Sequence, residues 1–138
     1  MAFTGNYTCA TFKLGLPSGD FDFSSGTADV FKIALYTNDA TLDADTAAYT
    51  TTGEVVATGY TAGGEVLTPS VSISSGTSFI DFTDVTWSGA FTARGALIYK
   101  DGGAAICVLD FGADRTSTAT LQVQFPANTN TSALIRIS

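Results

Sequence analysis

Histidine is absent from this sequence, and only six of its 138 residues are basic. Without histidine, the chain has neither a Ser-His-Asp nor a Cys-His nucleophile, no imidazole ligand for zinc and no histidine pH switch. Its 13 acidic residues give a formal net charge of −7, so the positive surface that nucleic acids and anionic membranes require is missing. We therefore expect no nucleic-acid partner and no membrane partner.

Cysteine is scarce as well, because the chain contains only Cys9 and Cys107, which form no C-x-x-C motif. Two isolated thiols in a chain of this length are typical of small buried side chains, so we expect them to be unbridged, with a disulfide as the alternative. The N-terminus has no basic residue followed by an apolar run, so no secretory signal is expected. We predict a soluble protein made in the cytosol.

The residues that are abundant are typical of a β protein. Threonine and serine account for 34 residues and 45% of the chain is apolar, whereas only 14% is charged. This composition argues against disorder and favours short β-branched strands joined by the 14 glycines. The hydroxyl-rich surface offers neutral hydrogen bonds to a partner, although threonine and serine equally reflect β propensity at exposed strand positions.

One short helix is expected near the N-terminus, because Cys9, Phe12 and Leu16 have helical spacing. Gly15 or Pro17 would end it.

From Val30 onward the apolar period changes to two, which predicts strands. Phe31, Ile33 and Leu35 are expected on one face of the first strand. The segment 101–103, Asp-Gly-Gly, is the strongest hairpin signal, since tight turns need the positive φ that glycine adopts. Counting such signals gives seven or eight strands, which predicts a single mainly β domain over residues 1–138, an antiparallel β-sandwich or barrel with a short N-terminal helix.

Blocks of sequence in order along nearly the whole chain carry a resemblance to a known family. They are FKIALYT at 31–37, TGYTAGG at 58–64, DFTDVTWS at 81–88, TARGALIY at 92–99, LDFG at 109–112 and VQFPAN at 123–128. In these blocks the chain resembles small virion structural proteins of tailed bacteriophages, which are encoded among the head and tail morphogenesis genes. The first thirty residues depart from the family, because GLPSG at 15–19 stands where the family continues its N-terminal helix.

The resemblance implies a non-enzymatic component of the phage particle. A capsid decoration or cement protein is the leading role, and a head-to-tail connector, a tail component or a receptor- or carbohydrate-binding component is the alternative. The implied location is the virion, assembled in the host cytoplasm, and the implied partners are the major capsid protein or other virion subunits. We expect a homo-oligomer, of which a trimer is one form, and no cofactor, metal or catalytic residue.

Two segments are not needed to complete a sandwich, namely the possible docking segment 1–29 and the long connection 38–53. Both retain large apolar side chains, which soluble monomers seldom leave exposed as a patch. The hypothetical interface consists of Phe3, Phe12, Phe21, Phe23, Leu42 and Tyr49. The alternative is that these segments fold back over an open end of the sandwich.

The acidic residues allow two further hypotheses. Asp39, Asp43 and Asp45 would suit Ca²⁺, but they lack the spacing of a calcium-binding loop, so we favour a solvated loop whose side chains cap turns. Glu54, Glu65 and eleven aspartates would supply a carboxylate pair for glycoside hydrolysis, but no spacing singles out a pair.

Two large side chains within strands also have alternative interpretations. Trp87 is expected in the core rather than as an interface anchor. Arg94 is expected to pair with Asp81 or Asp84 rather than to reach a partner subunit. A carbohydrate-binding surface would need an exposed platform of four rings, Tyr7, Tyr49, Tyr60 and Trp87.

Overall fold

A computed structural model describes residues 3–24, 26 and 29–137. Its elements are β1 (Tyr7–Thr8), α1 (Ala10–Ser18), β2 (Phe31–Tyr36), β3 (Glu65–Leu67), β4 (Pro69–Ser74), β5 (Thr77–Phe82), β6 (Val85–Ser88), β7 (Phe91–Lys100), β8 (Ala105–Ser117), β9 (Thr120–Val123) and β10 (Ile135–Ile137). Every pairing between these strands is antiparallel. The predicted class, mainly β with one short helix, is confirmed.

The strands form three sheets whose buried faces meet. The largest has the order β1-β8-β7-β2-β3, and the others are β10-β5-β4 and β6-β9. Ile80, Phe82, Trp87 and Val123, from the two smaller sheets, share one apolar core with the five-stranded sheet, which is the layering of a β-sandwich. The described residues form ten strands rather than seven or eight. Strand β1 has only two residues, too few to show an alternation, and β3 and β4, on either side of Thr68, are separate strands.

The alternation predicted for β2 is confirmed, and it shows that the five-stranded sheet is buried on both faces. Phe31, Ile33 and Leu35 point into the core between the layers. Ala34 and Tyr36 point to the opposite face, where a second apolar cluster covers the sheet. Residues outside the strands, at both the N-terminus and the connection after β2, contribute to this second cluster.

Helix α1 continues past both residues that were expected to end it. Pro17 lies in its last turn, and Gly15 is buried against the ring of Phe21, where a Cβ atom would overlap that ring. The helix ends at Gly19, whose left-handed conformation (φ 79°) lets the Asp20 N–H reach the Gly15 carbonyl oxygen at 2.9 Å.

The predicted hairpin at residues 101–103 is confirmed as the connection from β7 to β8. The Gly103 N–H donates to the Lys100 carbonyl oxygen at 2.8 Å, and the Lys100 N–H donates to the Ala104 carbonyl oxygen at 3.0 Å. Gly102 has φ 73°, the conformation for which the turn requires glycine. Local turn chemistry therefore identified the longest strand pair of the sheet.

Both cysteines are free and buried, and they lie in different apolar clusters, Cys107 between the layers and Cys9 on the opposite face of the five-stranded sheet. Burial raises the pKa of the Cys9 thiol to about 11 and raises that of Cys107 as well. Because only the thiolate is reactive, we expect neither cysteine to be alkylated in the native protein at neutral pH.

In denaturant without reductant, both thiols should be alkylated, as counted by mass spectrometry. If no thiol is labelled after denaturation, the two cysteines are bridged and this prediction is wrong.

Candidate functional site

Three phenylalanines of the hypothetical interface lie in the core between the layers. Phe12, Phe21 and Phe23 pack against one another with ring centroids 5.1 to 6.1 Å apart. The Phe23 ring also stacks on Phe31 at 4.5 Å and contacts Phe82 edge-on at 6.2 Å. The segment after α1 therefore contributes to the sandwich core.

The remaining three interface candidates belong to the second cluster. Phe3 and Leu42 are 2% and 1% exposed, and the half-buried Tyr49 ring stacks on Tyr99 at 5.0 Å. Phe3 fits against Gly95, where a Cβ atom would overlap its ring. This placement corrects the expectation that the six side chains form an exposed patch. Three lie in the core between the layers and three pack on the outer face of the five-stranded sheet, rather than over an open end of the sandwich.

The connection 38–53 leads directly into a buried polar cluster centred on Glu54. Its Oε1 accepts the Tyr49 hydroxyl at 2.6 Å, while Oε2 accepts the Tyr60 hydroxyl at 2.7 Å and the Gly63 N–H at 2.8 Å. The Tyr60 oxygen in turn accepts the Leu35 N–H at 2.9 Å. Glu54 is 7% exposed, and its carboxylate thus connects the loop to strand β2.

The tyrosines of this cluster are held in their protonated form. Burial raises the pKa values of Tyr36, Tyr60 and Tyr99 above their ordinary range, and burial followed by the hydrogen bond to Glu54 raises that of Tyr49 to about 12. The protonated hydroxyls of Tyr49 and Tyr60 donate to the Glu54 carboxylate and offset the cost of burying it, whereas those of Tyr36 and Tyr99 donate to the Thr50 and Gly63 carbonyl oxygens. In the sequence Glu54 is one carboxylate among many, because its hydrogen-bond partners Tyr49, Tyr60 and Gly63 are not at a motif spacing.

One aspartate side chain of the connection, that of Asp43, caps a turn. Asp43 Oδ1 accepts the Asp45 N–H at 2.8 Å, and the Asp43 N–H donates to the Thr46 hydroxyl at 2.9 Å. Within residues 3–24, 26 and 29–137, no group of three or more Cys, Asp or Glu side chains is placed to hold a metal ion. The turn-capping interpretation is the one that these contacts support.

Arg94 pairs with a different carboxylate from the two that we expected. Its Nε lies 3.2 Å from Asp110 Oδ1, across the β7–β8 ladder, whereas Asp81 and Asp84 belong to the other layer and its connection. The Gly112 N–H and the Arg94 guanidinium hold the Asp110 pKa below its ordinary value. The prediction failed because it depended on which strands are neighbours.

The four rings of the hypothetical carbohydrate platform do not form an exposed surface. Trp87 and Tyr60 are 1% and 9% exposed and stack at 6.4 Å in the core. The interpretation of Trp87 as a core residue is confirmed.

Strand β4 presents the most exposed apolar side chains of any strand in the described chain. It is an edge strand that pairs only with β5, and Val71 and Ile73 are 45% and 73% exposed. Val71 lies directly opposite Ile80 of β5, so the two side chains share one face of the sheet. Because Ile80 is buried, the exposed Val71 and Ile73 side chains extend the apolar face of the core to the edge of the sheet. An exposed apolar edge is the type of surface that pairs with another strand.

Strand β4 itself carries no charge, and the charged residue paired with it, Asp81 opposite Ser70, is buried. Eight of the 13 acidic residues and two of the six basic residues precede Val66, and residues 66–80 contain no charged side chain. A second chain carrying the same net charge of −7 meets no charged side chain of like sign on this uncharged strand.

Comparison of the chain with protein-family models, with curated proteins and with solved structures finds no match. No helix in the part of the chain that the structure describes is long and apolar enough to cross a membrane.

Proposed function

We propose that this chain is a non-enzymatic structural protein of a tailed-bacteriophage particle. In this role it is a decoration or cement protein that stabilises the head by binding its own copies and the major capsid protein. The resemblance of the blocks between residues 31 and 128 to small virion proteins supports the proposal. The exposed, uncharged edge of β4 carries it, because a cement protein must join neighbouring subunits and unpaired strand edges do so readily.

Strand β4 suits a second copy of the chain in particular. Natural proteins usually block an edge strand with lysine, proline or a bulge, and β4 has only Pro69, at its first position. In an antiparallel ladder alternate residues direct their N–H and C=O groups to one neighbour, so the β4 residues that do not bond β5 can bond a partner strand, and they bring no like charges together. Antiparallel pairing of two β4 strands about a twofold axis is therefore the contact that we propose between copies.

The sequence of β4 is complementary to itself in this arrangement. If Ser72 lies opposite Ser72 of the second copy, Val71 lies opposite Ile73 of the second copy. Directly opposite residues share a face, so the two apolar side chains meet and shield each other from water. The three-stranded sheets of the two copies would then form one continuous sheet across the contact.

Sedimentation velocity, with the purified chain alone and mixed with phage capsids or tails, tests the proposal. We expect the wild type to self-associate and to co-sediment with capsids. Ile73→Asp should shift the chain toward the monomer, because it places two carboxylates in an apolar contact.

Val56→Asp is the matched control, since Val56 is 96% exposed, lies outside the strands and acquires the same charge. A monomeric wild type that ignores capsids contradicts the cement role, and binding to tails alone assigns the chain to the tail. Equal dissociation of both variants would mean that net charge, rather than β4, controls association.

A further inference from the structure

A groove of about 680 Å³ lies between helix α1 and strand β10 on the side of the molecule where β10 has no strand partner. Its apolar lining includes Phe12 and Leu16 of α1 and Ile135 of β10. Among the described strands β10 pairs with β5 alone, and all three of its residues line the groove, so a strand could add to its second edge. The shape and the free edge together suit an extended peptide.

Two basic side chains of the groove have no carboxylate partner among the described residues, and the Arg136 guanidinium donates only to the Thr131 carbonyl oxygen. Three of the six basic side chains are in ion pairs, which are Lys32 with Asp101, Lys100 with Asp29 and Arg94 with Asp110. Among the residues that the structure describes, the other three, Lys13, Arg115 and Arg136, lie within 4 Å of no carboxylate. Lys13 and Arg136 both line this groove, on its two opposite walls. An acidic ligand would complement them in a protein that is otherwise negatively charged.

We infer that this groove binds an extended segment of a partner protein in which apolar and acidic side chains alternate. A strand added beside β10 would place alternate side chains on the two faces of the sheet. On one face lie Ile135 and Ile137, which favour apolar neighbours, and on the other lies Arg136, which favours a carboxylate. The alternation of β10 itself thus specifies the pattern of its ligand. The inference stands on the groove and does not depend on the proposed function.

The probe is the peptide acetyl-Val-Glu-Val-Glu-Val-amide, added to the ¹⁵N-labelled full-length protein and followed by NMR. We expect the amide signals of residues 135–137 and of Lys13 to shift with saturation. The counterpart with lysine in place of glutamate should bind at least about tenfold more weakly, because it places like charges beside Lys13 and Arg136.

Charge reversal separates the groove from a general charge effect. Arg136→Glu and Lys13→Glu should each weaken binding of the acidic peptide about tenfold, and Arg115→Glu, with the same change in net charge, should leave it unchanged. Lys13 is exposed, so its variant tests the groove even if Arg136→Glu perturbs β10.

Four results would overturn the inference. Two are equal binding of the lysine peptide and an equal loss in Arg115→Glu. The third is a set of shifted signals on β4, which would place the peptide outside the groove. The fourth is the same set of shifts produced by free glutarate at the same concentration, because a bare carboxylate site requires no extended partner.

Discussion

Phe23→Ala is expected to lower the free energy of unfolding by about 4 kcal/mol, the usual cost of removing a buried phenylalanine ring and leaving a cavity. The ring is 5% exposed and contacts four other phenylalanines, so the surrounding core has little freedom to collapse into the space. In a chain of this size the melting temperature should fall by about 15 °C, as measured by circular dichroism.

Leu14→Ala is the matched control for a core contribution by the N-terminal segment. Leu14 lies on helix α1 and is 72% exposed, so its truncation should change stability by less than about 0.5 kcal/mol. The prediction would be contradicted if Phe23→Ala had the melting temperature of the wild type but lost self-association or capsid binding. The N-terminal segment would then be a docking element rather than part of the core.

Glu54→Leu is expected to lower the free energy of unfolding by about 3 kcal/mol, because the change leaves the Tyr60 hydroxyl and the Gly63 N–H buried without their acceptor. Leucine fills a similar volume, so the loss reports the hydrogen bonds rather than a cavity. Thermal unfolding should show a melting temperature lower by about 10 °C.

Two further variants isolate the role of the carboxylate. Glu54→Gln should cost only about 1 kcal/mol, because its amide oxygen still accepts from Tyr60 and Gly63 while its NH₂ group donates to the Tyr49 oxygen. Glu65→Leu removes the same charge from an exposed position of β3 and should have little effect. Equal melting of Glu54→Leu and Glu65→Leu would contradict a structural role for the cluster.

The surfaces that carry both proposals are strand edges, and strand edges depend on sheet order. Pro69 is compatible with an edge strand in any sheet, but only the order β10-β5-β4 leaves both β4 and β10 without a second neighbour. The uncharged stretch 66–80 was visible in the sequence. That part of this stretch is a possible contact surface became evident only from the position of β4 at the edge of its sheet.

The sequence by itself determined the class of the fold and several of its local elements. The two faces of β2 and the 101–103 hairpin were predicted because side-chain alternation and glycine turn chemistry act over a few residues. The tertiary structure alone decided that Phe3 and Leu42 cover the outer face of the five-stranded sheet, and that Arg94 pairs with Asp110. These contacts join residues far apart in the chain, and their geometry depends on strand order and register, which the local pattern does not contain.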